Sequence, residues 1–89
     1  MRLILRPDFL KSADLLPFYI QSKLVEDMEL LKKDVHHPLL HAKKLKGGFS
    51  QMFAFRLHRD WRVIFEYIDA ETIRLLSVRH RKDAYRQHA

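Results

Sequence analysis

The last hydrophobic run of this chain passes into SVRHRKDAYR, Ser77 to Arg86, which sets Arg79, His80, Arg81 and Lys82 in a row with Tyr85 and Arg86 just beyond. Guanidinium and ammonium groups crowded beside an imidazole and a phenol are what a polyanion-binding site needs, and a nucleic-acid backbone is the commonest such ligand. The alternative is a basic tail held in water. A second set of suitable residues stands upstream, Arg56, His58, Asp60 and Arg62, within one short stretch. A third group, His36, His37 and His41, has partly metal-like spacing, since His37 and His41 are four apart. Pro38 lies between them and breaks any helix that would align their rings, and no cysteine or acidic ligand follows in the motif, so no metal is expected.

Charge is distributed to match the first two sets. Residues 1–42 carry six Lys/Arg against six acids, whereas residues 43–89 carry eleven against five, which accounts for the whole net charge of +6. That asymmetry favours an anionic partner for the second half, nucleic acid before membrane. The length of 89 residues bounds the protein to a single domain, 1–89, and the 47% hydrophobic content is enough for one core. There is no cysteine, so disulfides and thiolate chemistry are excluded. The opening MRLILRPDF is too short in its apolar part for a secretory leader, and no run reaches the ~20 residues of a membrane span. A soluble cytoplasmic protein is expected.

Those residues need elements to hold them. RLILR (Arg2–Arg6) makes a short first strand that Pro7 ends. Asp8 to Leu16 makes a brief helix, and Pro17 opens a longer one in which Ile20, Leu24, Met28 and Leu31 recur at helical spacing, with Val25 beside them. Val35–Gly48 is a long connection holding Pro38 and both glycines. Three runs then alternate with period two or nearly so: QMFAFRLH, WRVIFEYID and TIRLLSV, joined by tight turns at Arg59-Asp60 and Asp69-Ala70-Glu71. Helices followed by consecutive strands predict an α+β fold, a helical hairpin on one face of a small, mostly antiparallel sheet of three to four strands. Phe53, Phe55, Leu57, Trp61, Val63, Phe65 and Tyr67 should face Ile20, Leu24 and Met28. The other face then presents Arg56, His58 and Arg62, beside whatever follows Val78.

The leucine–lysine–glycine stretch HPLLHAKKLKGG, the aromatic strand after it, the hairpin RDWRVIFEYID and the terminal HRKDAYR together resemble the RelE/ParE toxin superfamily. The motifs run from Pro38 to Arg86, and it is their order and spacing that carry the likeness. The resemblance implies two helices packed on a small antiparallel sheet, and a toxin of a type II toxin–antitoxin pair. RelE-like members enter the ribosomal A site and cut mRNA without a metal or other cofactor. A ribose 2′-hydroxyl attacks the adjacent phosphorus and expels a 5′-oxygen, which calls for a base, cations and an acid.

Position by position, the resemblance gives Arg62 the strand arginine that holds the scissile phosphate, and Arg81 the arginine that stabilises transition-state charge. It makes His80 the counterpart of the C-terminal histidine of the YoeB and YafQ branches, a general acid. Asp60 matches an acidic residue of the YafQ branch, and Tyr85 the terminal aromatic of RelE. Lys43, Lys44 and Lys46 fall in the basic loop that contacts RNA, and Arg56, Lys82 and Arg86 extend that surface. Where YafQ-like members have a histidine on the second strand, this chain has Arg56, with His58 two residues on. The base is therefore His58, or an arginine or lysine as in RelE. Implied partners are a cognate antitoxin, the ribosome and mRNA, with a free monomer that forms a hetero-oligomer with the antitoxin. Two other readings remain at this point, a ParE-like poison of DNA gyrase and a non-catalytic basic RNA-binding domain. For single residues the plainer roles are an Arg62–Glu66 surface ion pair and a Tyr85 that closes the core.

Overall fold

The computed structural model describes residues 1–45 and 51–84. In chain order the elements are β1 (Arg2–Leu5), α1 (Pro7–Asp14), α2 (Phe18–Lys33), a 3-10 turn (Pro38–Leu40), β2 (Lys43–Lys44), β3 (Met52–His58), β4 (Trp61–Asp69), β5 (Thr72–His80) and the single turn α3 (Arg81–Ala84). The strands form one sheet in the order β1-β5-β4-β3-β2, antiparallel throughout except that β1 runs parallel to β5. The expected α+β class and helix-on-sheet arrangement hold, with five strands rather than three to four. The extra pairing comes from β2, whose two residues are too few to show alternation, set in a connection read as loop.

Prolines place the first two helices. Pro7 begins α1, where its missing N–H costs nothing, and Asp8 sits in the first turn, where a carboxylate suits the helix dipole. Pro17 occupies the N-cap of α2 in extended geometry. Leu5 is the last β1 residue paired with β5, opposite Leu75, and beyond it β5 has no strand neighbour on its β1 side. There α1 takes over: the Ser12 hydroxyl accepts the Val78 N–H at 2.9 Å and donates to the Phe9 carbonyl at 2.9 Å. One serine thus satisfies a backbone donor that the end of β1 would otherwise orphan.

The main core lies between the helices and one sheet face. Ile20, Leu24 and Leu31 of α2 and Phe9 of α1 pack with Phe55, Leu57, Val63, Phe65, Ile73, Leu75 and Val78, all buried, and Met28 is partly buried against them. Each such side chain contributes roughly 1.5–3 kcal/mol by leaving water. Val25 is 63% exposed and does not join the stripe. The opposite face is not uniformly cationic, as the strand alternation predicts. Its middle carries a second, smaller core in which Ala54 and Ile64 are buried with Leu45 and with Ala84 of α3. Charge flanks that small core at both ends, as the Glu66–Arg74 ion pair at one and as a row of arginines at the other. Among the described residues, no helix is long and apolar enough to cross a membrane.

Candidate functional site

Two neighbouring rungs of the sheet, at the β3–β4 turn, carry most of the residues singled out from the sequence. In the first, Arg56 of β3, Arg62 of β4 and Arg79 of β5 are direct cross-strand partners. Directly paired residues project to the same side of a sheet, so the three guanidinium stems stand in a row on the face that also carries Ile64. In the second rung, the last before the turn, Trp61 is paired with His58 on one side and His80 on the other. Trp61 packs on the main core, so this rung projects to the helix side.

The split corrects the expectation that His58 shares a face with Arg56 and Arg62. A β-bulge between Arg56 and His58 shifts the register: Leu57 keeps its place in the main core with Phe55, and His58 is turned to the same side, toward α2, with its ring centroid 5.9 Å from that of Tyr19. A bulge adds one residue to one strand and so reverses alternation beyond it. His80 meets the edge of Trp61, with ring centroids 5.5 Å apart. Its Nδ1 accepts the Lys82 backbone N–H at 3.2 Å, which caps the start of α3 and leaves Nε2 as the donor side of the ring.

Arg62 makes no ion pair with Glu66. Glu66 is held by Arg74, its cross-strand partner, whose Nε and Nη2 reach one carboxylate oxygen at 3.0 and 2.6 Å. Instead, Arg62 Nη1 donates to the carbonyls of His58 (2.8 Å), Trp61 (3.0 Å) and Arg59 (3.2 Å), lacing the β3–β4 turn. One nitrogen of the guanidinium thereby anchors the group, and its Nε and Nη2 hydrogens remain for an anion. Asp60 and Arg81 are brought to each other. The Arg81 N–H donates to the Asp60 carbonyl at 2.8 Å, and the Arg81 Nε lies 3.6 Å from Asp60 Oδ1. Both side chains are about half exposed, at 52% and 45%, so the pair is loose and worth no more than ~1 kcal/mol. Lys82 is exposed on α3.

Of the basic loop residues, Lys43 is paired with Ala54 and so lies on the arginine face, whereas Lys44 is paired with Phe53 on the other. Lys46, Tyr85 and Arg86 lie outside the described residues. The sequence reading missed two positions. By sequence Arg79 is one member of a charged run, and strand pairing gives it its place in the arginine row. By sequence His41 suggests at most a metal ligand, yet with Lys43, Ala54, Arg56 and Arg62 it lines a pocket of about 170 Å³. A wider cleft of about 530 Å³ between α2 and the end of β3 shares His41 and Arg56 with that pocket and is where His58 is found. Within it Asp27 is 4% exposed, its carboxyl held above the ordinary range by burial, against the opposing pull of the Lys23 ammonium at 2.9 Å. Among the described residues, no group of three or more His, Cys, Asp or Glu side chains could hold a metal ion.

A two-layer α+β domain with a basic strand end and a capping C-terminal turn defines a class of small toxins, and comparison with known proteins agrees. The family model described as ParE toxin of type II toxin–antitoxin system, parDE, matches residues 3–85, so the chain belongs to that family, within the RelE/ParE superfamily of type II toxins. Among solved structures, the RelB–RelE antitoxin–toxin complex from Methanococcus jannaschii is similar at 22% identity and TM-score 0.76, covering 97% of this chain and 99% of that one. YafQ from E. coli has TM-score 0.76 at 16% identity, covering 96% and 99%. The toxin–antitoxin complex RelBE2 from Mycobacterium tuberculosis has TM-score 0.70 at 26% identity, covering 92% of each chain. Sequence comparison with curated proteins finds no match.

Proposed function

We propose that this toxin is a ribosome-dependent endoribonuclease that cuts mRNA in the A site by metal-independent attack of a ribose 2′-hydroxyl, and so stops translation in the cytoplasm. The observation that carries the reading is the arginine row Arg56–Arg62–Arg79, which ends beside the His80–Arg81 corner. Such a row tracks a phosphodiester backbone, and Arg62, anchored at Nη1, offers an oriented fork to one phosphate. RNA lying on the arginines and passing over the end of the sheet would meet Arg81, which supplies charge to the phosphorane, and His80, whose Nε2 side donates a proton to the leaving 5′-oxygen. Asp60 holds Arg81 in place until RNA competes for it. Lys43 on β2 and Lys82 on α3 extend the RNA contact, and the superfamily likeness adds Lys44, Lys46, Tyr85 and Arg86 to it. The antitoxin partner is supported by RelE relatives solved as RelB–RelE complexes from M. jannaschii and Pyrococcus horikoshii OT3. An acidic or amphipathic antitoxin segment is the natural complement of the +6 chain.

The family description favours a second reading, a gyrase poison of the ParE kind, which keeps the fold and needs no acid–base histidine. Induction of the protein without antitoxin separates the two. The nuclease reading expects protein synthesis to stop, with mRNAs cut inside reading frames. Broken DNA with intact mRNA would replace it by the gyrase reading.

A further inference from the structure

The nuclease reading needs a base for the 2′-hydroxyl, and the arrangement of the histidines leaves that role open. His58 faces Tyr19 of α2, His80 is committed through Nδ1 to the Lys82 N–H, and His37 Nδ1 accepts the Leu39 N–H at 3.2 Å. We propose that His41 is the catalytic base, and that the pocket it shares with Arg56 and Arg62 seats the scissile phosphate; the inference rests on the nuclease reading.

Three observations carry it. The pocket of about 170 Å³ is walled by His41, Lys43, Arg56 and Arg62 around the small side chain of Ala54, with no carboxylate in its lining. That is a single-anion seat with an imidazole at its rim. Next, His41 is the only non-glycine residue with positive φ among the described residues, at φ 48° and ψ 42°. It closes the 3-10 turn with its own N–H on the Pro38 carbonyl at 3.3 Å. Glycine or asparagine is the comfortable residue there, and a larger side chain pays roughly 1 kcal/mol for the left-handed conformation. Histidine is among the few non-glycine residue types enriched in that conformation, and here the turn sets it at the rim of the pocket. Lastly, the imidazole of His41 is exposed and makes no hydrogen bond to any described residue, so both ring nitrogens remain for a ligand.

The step balances without a co-reactant. The 2′-hydroxyl proton passes to the His41 imidazole as O2′ bonds to phosphorus. The bond from phosphorus to O5′ breaks, and the 5′-oxygen takes a proton from the acid on the other side. The products are a 2′,3′-cyclic phosphate and a 5′-hydroxyl. Attacking and leaving oxygens stand roughly in line across phosphorus. His41 stands on the β2 side of the arginine row, and His80, on β5, stands one rung beyond the row at the end of the sheet where the chain turns into α3.

The test is single-turnover cleavage of mRNA on saturating programmed ribosomes. His41→Gly suits the left-handed position, so it should fold at least as stably as the wild type and bind ribosomes equally. Its cleavage should fall ~10²–10⁴-fold, with part of the rate recovered by free imidazole. His41→Asn, also tolerated in that conformation but unable to take the proton, should be as slow. The inference is overturned if His41→Gly cleaves at the wild-type rate, if His41→Asn restores cleavage, or if imidazole recovers nothing. Wild-type protein that leaves programmed mRNA uncut sinks the nuclease reading and the inference together. Equal cutting by wild type and His41→Gly removes the inference alone.

Discussion

The rungs Arg56–Arg62–Arg79 and His58–Trp61–His80 are adjacent in the sheet and contributed by the same three strands, yet they live in different surroundings. The His/Trp rung closes the main core, with rings packed edge-on and His80 capping a helical turn. Among the described residues, the arginine rung meets no carboxylate; it lies beyond the edge of the small Ala54–Ile64 core, where charge stays wet. The lesson is that the same residue types acquire opposite duties from a one-residue change of face. The imidazoles of His58 and His80 pack against Tyr19 and Trp61, whereas that of His41 stands exposed at the rim of the arginine pocket.

The largest expected effect falls on the arginine rung. Arg62→Ala should lower single-turnover cleavage ~10²–10³-fold, the usual cost of losing one oriented donor to a developing charge. Because Arg62 also laces the hairpin turn, the same variant should melt at lower temperature. Arg62→Lys separates the two roles, since lysine keeps charge but cannot reproduce the planar fork. Full-rate cleavage by a folded Arg62→Ala protein would erase the distinction between the rungs.

On the histidine rung, His80→Asn is the sharpening experiment. Asparagine is a favoured N-cap, so α3 and stability should be retained, while cleavage should fall ~10²-fold through loss of proton transfer. A variant that keeps both stability and rate would make His80 a cap and nothing more.

A smaller effect belongs to the helix side alone. Ser12→Ala leaves the Val78 N–H without its acceptor and should cost ~1–3 kcal/mol in denaturant unfolding. Ribosome-bound cleavage at a temperature where the variant is folded should be unchanged, and a selective loss of cleavage there would show that the helix side reaches the site. Arg79→Ala should reduce by about one the slope of log affinity for RNA against log salt, with little effect on the saturated rate. An unchanged slope would remove Arg79 from the RNA track.

The least effect is expected at Asp27. Its carboxyl is held above the ordinary range by burial, so between the unfolded and the folded pKa the native state binds more protons than the unfolded one. Stability from this group is therefore present at acid pH and falls as pH rises through the folded value. Asp27→Asn should give a small rise in melting temperature at neutral pH that disappears below the unfolded carboxylate pKa of ~3.9. A rise of equal size at both pH values would assign the effect to something other than charge burial.

By itself the sequence determined the class of the fold and the layer of the core. Ile20, Leu24 and Leu31 at helical spacing and Phe53, Phe55, Val63 and Phe65 at period two are separate signals for the same buried interface, because side-chain direction along a helix or strand is fixed locally. The motifs after Pro38 likewise carried the superfamily. Only the tertiary structure decided the site. Strand pairing put Arg79 beside Arg62, a bulge took His58 off that face, and a two-residue strand with a left-handed turn brought His41 to Arg56. Register, bulges and pockets depend on which distant segments meet, and local alternation carries no record of that.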